Sequence, residues 1–355
     1  MKKITYIDLF AGAGGWSCGF ERIEAFKHLR MYDINGSACD TARANFGNIV
    51  EEADLAKHEE IEFPSADVII GSPPCQGFSN EGTKNPEDPR NSLVWAFLDI
   101  IEKNKPKVWV FENVPGFQRS YDGKWFYEMS KRLNKSKYKW TCGIVNAADF
   151  GVPQNRKRFI AIGALDFTPT LPPQSHFADF DISPESRHVT IWEAISDLPK
   201  PKRGDRIGTF EYQTEPHSAY QKWARKGSVS VLNHTAQNHS QRVLEKIKLV
   251  PAGKNMAAFL GNFSENSTNY AGGYRRAPKH LPSWTAYWTR GMTSIHPTQH
   301  RFLTPRECAR IQSFPDRHIF TGSTIENYTQ ICNAVPPLLS EAVGRHIIKM
   351  LDANK

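Results

Sequence analysis

The chain is 355 residues long, enough for one large α/β unit or two modest domains, and its 39% hydrophobic and 23% charged residues are ordinary for a globular protein. No apolar run approaches about 18 residues, and the opening MKKITYIDLF leads straight into a strand-like segment, so we expect no spanning helix, no signal peptide and a cytoplasmic setting. Lys and Arg outnumber Asp and Glu by 45 to 37, and residues 200–300 alone hold 15 against 5; this basic stretch points to a polyanionic partner, with a merely solvated basic surface as the alternative.

Strand and helix signals alternate along the first 165 residues. Ile4–Phe10 reads as a buried strand, AGAGG follows as a turn, and a helical pattern covers Trp16, Gly19, Phe20 and Ile23. A second strand, Leu29–Tyr32, ends at Asp33, with a helix near Ser37–Asn45. Val68–Ile70 is a short apolar strand running into GSPPCQG, whose paired prolines can continue neither element. Leu93–Ile101 reads as a helix, Val108–Phe111 as a strand ending in Glu112, and Phe159–Ile162 as another strand. This alternation predicts a parallel sheet covered on both faces, with ligands at the carboxyl ends of its strands. From about 166 to 300, Pro, Gly, Ser, Asn and His become frequent, and only Val243–Val250 looks like a helix core, so a separate loop-rich domain is predicted there. Periodicity returns at Thr304–Gln312, where Thr304 can cap a helix that starts with Pro305 and carries Glu307, and a last helix spans roughly Leu338–Leu351.

Four motifs carry chemistry. In DLFAGAGGWSCGFE, Asp8–Glu21, small residues after a strand allow close approach of a ligand to a helix N-terminus. It is not the G-x-G-x-x-G dinucleotide pattern, and a plain tight turn is the alternative. Asp33 sits where an acid can accept both hydroxyls of a ribose, or simply cap a helix. Cys75 lies at the centre of GSPPCQGFSN, on a turn just past a strand, where a thiolate is presented toward the cleft; the other reading is a small buried hydrophobe. FENVPGF puts Glu112 and Asn113 at the tip of a buried strand, costly for a carboxyl without a partner or a task. QNRKRF places Gln154, Arg156 and Arg158 at alternate positions, hence on one face of a strand. The six cysteines lie far apart with no C-x-x-C pair, so neither a metal site nor a disulfide framework is expected.

Together these motifs resemble the cytosine-C5 DNA methyltransferases of bacterial restriction-modification type. The likeness continues through RFLTPRECARIQSFPD at Arg301–Asp316 and NYTQICNAVPPLL at Asn327–Leu339, in the family's unpermuted order, and spares only a variable segment near 170–290. Cys332 departs from the pattern, which usually has glycine before Asn333.

The resemblance implies a doubly wound, Rossmann-like α/β sheet that uses S-adenosylmethionine, with a smaller, loop-rich target-recognition domain. It places the catalytic and cofactor-binding domain at 1–170 plus 322–355 and target recognition at 171–321. By similarity, Cys75 adds to C6 of cytosine and Glu112 contacts N3 and the exocyclic amine. Asn113 accompanies Glu112, Arg158 contacts O2, and Arg156 orients Glu112 or the Cys75 loop. Cofactor contacts are expected at Phe10, Gly12, Gly14, Asp33 (ribose), Asp54 (adenine amine), Pro74, Leu93 and Asn333. The target base must leave the duplex, and the polar stretch Gly77–Arg90 is expected to close over the DNA. Double-stranded DNA is the expected partner, with Gln154, Arg275, Arg276 and Arg290 as contacts. Trp284, Tyr287 and Trp288 either touch DNA or pack their domain. A restriction endonuclease is expected only in the same system, not in a complex, and a monomer suffices.

Three other readings fit parts of the sequence. An RNA-acting branch shares the motifs but usually carries Cys-Phe-Thr in its variable region, a tripeptide this chain lacks. A catalytically dead regulator would have lost the nucleophile or the acid, yet Cys75, Glu112, Arg156 and Arg158 are all present. An NAD-dependent oxidoreductase fails on the glycine pattern and leaves Cys75 without a role.

Overall fold

The computed structural model describes residues 3–74, 92–178, 183–201, 209–255, 274–285 and 294–354. Cys75, the 77–90 stretch, Tyr287, Trp288 and Arg290 lie outside them. In chain order the principal elements are β1 (Ile4–Leu9), α1 (Gly15–Phe20), β2 (Phe26–Asp33), α2 (Gly36–Phe46), β3 (Val50–Glu52), β4 (Val68–Gly71), α3 (Leu93–Asn104), β5 (Val108–Asn113), α4 (Lys124–Leu133), β6 (Lys139–Asn146), β7 (Gln154–Asn155) and β8 (Lys157–Ala164). There follow α5 (Ile191–Ile195), α6 (Ala219–Arg225), α7 (Gln241–Leu249), β9 (Ser283–Trp284), α8 (Pro305–Ile311), α9 (Thr324–Asn333) and α10 (Pro337–Ala353).

Two compact units emerge. The first comprises Met1–Asn146, Lys157–Gln174 and Pro337–Lys355. Its sheet has the order β3-β2-β1-β4-β5-β8-β6, with β1 to β5 all parallel. The sheet is mostly parallel, as expected, except that β8 runs antiparallel to both β5 and β6. The reason is the short β6–β8 connection, which returns the chain without the crossover helix that a parallel neighbour requires. β4 and β5 are buried along their whole length, as continuous apolar runs in a sheet covered on both faces should be. Strand order reverses between β1 and β4, which opens a crevice beyond their carboxyl ends. An aromatic cluster of Phe97, Trp109, Phe111, Phe117 and Phe159 fills one side of the sheet. Gly163 is required there, because a Cβ at this position would lie within 2.3 Å of the Trp109 ring.

The second unit comprises Ala147–Arg156 and Ser175–Pro336. It holds the two-stranded parallel pair β7–β9, short helices and isolated bridges. Sequence periodicity missed α5 and α6, although both start with a complete capping box, Thr190 with Glu193 and Ser218 with Gln221. The interior of this unit is unusually ionic. Arg310, fully buried, donates to both oxygens of Asp316 (2.8 and 2.6 Å) and to Asp197 (2.6 Å), which also accepts from Arg225 at 2.6 Å. Buried Arg306 is held by the carbonyls of Leu232, Pro315 and His318. Arg301 forks onto both oxygens of Glu307, and Thr304 caps α8 as predicted.

Candidate active site

The nucleotide-like end of the site is built at the carboxyl edges of β1 to β3. The chain leaves β1 through Phe10 at φ +56°, a left-handed conformation that is strained for a bulky residue, and through Gly12 at +55° and Gly14 at +83°. A Cβ on Gly14 would strike the ring of Phe46, while the Cα of Gly12 faces open space. Asp33 ties this turn down: its Oδ2 accepts from the Gly12 N–H (2.7 Å) and its Oδ1 from the Asn35 N–H (2.8 Å). Burial pushes its carboxyl pKa up, and those backbone donors pull it back. Each carboxylate oxygen keeps a lone pair for a hydroxyl. Asp54, just past β3, caps the following turn by accepting from the Ala56 N–H at 3.0 Å. Ile34, 65% exposed beside Asp33, offers an apolar face that the sequence reading missed; its signal is a β-branched residue immediately after the strand-ending acid. Leu93 begins α3 and is partly buried.

The second part of the candidate site lies beyond β4 and β5. Glu112 is 7% exposed, and its Oε1 pairs with the Nε of Arg158 at 2.9 Å. Because β8 is antiparallel to β5, its first residues reach the same edge as the last residues of β5, with Asn113 opposite Phe159. Asn113 donates from Nδ2 to the Pro73 carbonyl (3.3 Å) and accepts from the Val114 N–H (2.9 Å). It therefore fixes the backbone of the Pro73-Pro74 step that leads to residue 75. A second tie holds the same step, since the indole N–H of buried Trp16 donates to the Ser72 hydroxyl at 2.8 Å. Below the turn, Asp8 is fully buried and accepts from the Ser17 hydroxyl at 2.6 Å, and desolvation raises its pKa to about 7.

The expected common face for Gln154, Arg156 and Arg158 is not what forms. The strand breaks at Arg156: β7 pairs with β9, while β8 pairs with β5 and β6. Arg158 meets Glu112, whereas Arg156 donates to the carbonyls of Cys332 (2.7 Å) and Ala334 (3.2 Å). Those carbonyls flank Asn333, the exposed last residue of α9. Gln154 is fully buried and donates to Gln312 Oε1 at 2.7 Å, so its side chain is committed to the interior and not to a DNA contact. Arg276 needs the same correction, being 5% exposed and enclosed by backbone carbonyls. Arg275 lies instead against the ring of Trp284.

Comparison with known proteins identifies the family and the fold. The family model for C-5 cytosine-specific DNA methylases matches residues 4–349. The Type II methyltransferase M1.HphI of Haemophilus parahaemolyticus is 35% identical over 363 residues, covering 98% of this chain and 87% of that protein. M.DdeI of Desulfomicrobium norvegicum, also a Type II methyltransferase, is 33% identical over 97% of this chain and 88% of its own. Among solved structures, an E. coli prophage-encoded protein described as a DNA modification methyltransferase superposes with a TM-score of 0.78 over 99% of this chain and 100% of its own; at 23% identity it speaks to the fold alone. With a family match over nearly its whole length and these relatives, the chain belongs to the C-5 cytosine-specific DNA methylase family.

Proposed function

We propose that this methyltransferase modifies C5 of a cytosine flipped out of a short duplex site, through a covalent bond from Cys75 to C6, and that it protects DNA within a restriction-modification system. The observation that carries this reading is the buried Glu112–Arg158 pair at the same sheet edge as the Pro73-Pro74 step, with Asn113 bonded across to that step. An acid held beside an arginine on the strand next to the one that leads to the nucleophile suits activation of a pyrimidine ring.

S-adenosylmethionine fits the other end of the crevice. The open Gly12, the remaining lone pairs of Asp33 and the apolar Ile34 suit a backbone approach, a ribose diol and a base face. Phe10, Gly14, Asp54, Pro74, Leu93 and Asn333 complete the proposed contacts. When bound, it supplies an electrophilic sulfonium methyl group.

The chain's own residues do the rest. Cys75 thiolate forms a bond to C6, and Glu112 donates a hydrogen bond to N3 as electron density moves onto the ring, so that C5 becomes nucleophilic. Arg158 holds the Glu112 carboxyl and faces O2. After C5 has taken the methyl group, loss of its proton to a base restores the C5–C6 double bond, breaks the sulfur–carbon bond and returns the thiolate. Cytosine in a duplex cannot reach these groups, so extrusion is part of the proposal. Cofactor binding and catalysis are assigned to 1–170 plus 322–355 and target recognition to 171–321, where the basic residues would neutralise phosphates.

Side-by-side assays of labelled methyl transfer to duplex DNA and to tRNA test the reading. Label in 5-methylcytosine of duplex DNA is expected, with none in tRNA, and bisulfite sequencing then gives the site. Transfer to tRNA alone would contradict the substrate assignment.

A further inference from the structure

The structure treats two adjacent arginines in opposite ways. Arg276 commits every N–H donor internally: Nε to Val250 O (2.6 Å), Nη1 to His296 O and Gln299 O (both 2.8 Å), and Nη2 to Ile247 O (2.8 Å) and His300 Nδ1 (3.4 Å). Arg275 commits none of its guanidinium donors among the described residues. Its Cζ lies 3.1 Å from the Trp284 ring centroid, a separation that only face-to-face stacking allows. It is half-buried, and no carboxylate among the described residues neutralises it.

Both partners of the stack are fixed by their backbones. Trp284 stands opposite Asn155 in the β7–β9 pair, the Ser283 N–H donates to Pro153 O (2.9 Å), and the Thr285 hydroxyl donates to Asn155 O (2.7 Å). Arg275 bridges Asn255, and its carbonyl accepts from the Ile295 N–H at 2.8 Å. The platform is thus fastened to the segment immediately before Arg156. A guanidinium laid flat on an indole keeps its planar fork of donors at the edge, pre-oriented and unspent. Such a fork matches the paired O6 and N7 acceptors of guanine, whereas a phosphate is served equally well by a mobile lysine.

We propose that Arg275, oriented by Trp284, reads a guanine of the recognised site through a bidentate contact in the major groove. The proposal rests on the DNA methylation reading above. It is tested with the full chain and variants Arg275→Lys, Arg275→Gln, Trp284→Leu and Trp284→Phe. Measured quantities are kcat/KM on duplexes changed one base pair at a time, and the dissociation constant for S-adenosylmethionine. Both Arg275 variants should lose roughly 5- to 150-fold on the cognate duplex, the span expected for one bidentate base contact. Discrimination should relax at one G·C pair only, with cofactor affinity unchanged. Trp284→Leu should relax the same pair and Trp284→Phe, which keeps a stacking face, should restore it. Full activity of Arg275→Lys, or uniform weakening across all duplexes, would overturn the guanine contact. Failure of the unsubstituted chain to methylate any duplex would sink the underlying reading instead.

Discussion

In the proposed site, Asp33 serves fold and ligand together. Its two oxygens already anchor Gly12 and Asn35, so its removal both empties a hydroxyl-binding position and frees the turn that carries Phe10. Asp33→Ala should weaken S-adenosylmethionine binding by about 1–3 kcal/mol, the cost of leaving polar groups unpaired in a buried site. Titration calorimetry checks this, and an unchanged dissociation constant would remove Asp33 from the site. Asp33, Glu112 and Arg158 stand out in the sequence because each ends or starts an apolar strand, where a charge has few bland explanations; the structure puts Glu112 and Arg158 in contact and Asp33 on the Gly12 turn. Gln154 and Arg276 were misread for a complementary reason. A polar residue in a basic, motif-rich stretch looks like a ligand contact until its acceptors are known, and those acceptors are mostly backbone carbonyls that no side-chain pattern reveals.

At the scale of elements, α8 and the residues around it are a buried ionic keystone, although its sequence stands out as strongly as any motif in the chain. Removing one partner of such a network leaves a charge in the interior, which is why so many of its positions are polar yet buried. Two histidines there, His234 and His296, have their pKa lowered to about 4 by burial. The unfolded chain takes up these protons first, so the second unit should lose stability as pH falls from about 6.5 toward 4. Asp8 in the first unit has the opposite sign. With its pKa raised to about 7, the folded state holds a proton that the unfolded state releases near 4, so stability falls as pH rises through that window. The cost reaches about 4 kcal/mol from the size of the shift. Asp8→Asn should remove this loss of stability between about pH 4 and 7 from a plot of thermal stability against pH; a variant with the parent's slope across that window would contradict this. The strand–helix alternation of the first unit was readable because each element is apolar enough to announce its period. α4 and β6 were not, since α4 mixes lysines with aromatics and β6 is only half-buried. The reversal of β8 is a property of connection length, which periodicity does not report.

For the molecule as a whole, the basic excess of residues 200–300 falls in the second unit, while the carboxylates and glycines of the crevice fall in the first. That division suits an enzyme that grips a polyanion with one part of its chain and does chemistry with another. The proposed chemistry turns on Cys75 attacking a ring that has left its stack. A duplex carrying 5-fluorocytosine at the target position tests this, because fluorine at C5 cannot depart as a proton does and the sulfur–carbon bond cannot then be broken. Incubated with S-adenosylmethionine, the chain should form a complex with this duplex that survives denaturing electrophoresis, and Cys75→Ser should form none. Methyl transfer to ordinary cytosine without any trapped complex, or trapping that persists in Cys75→Ser, would contradict the account.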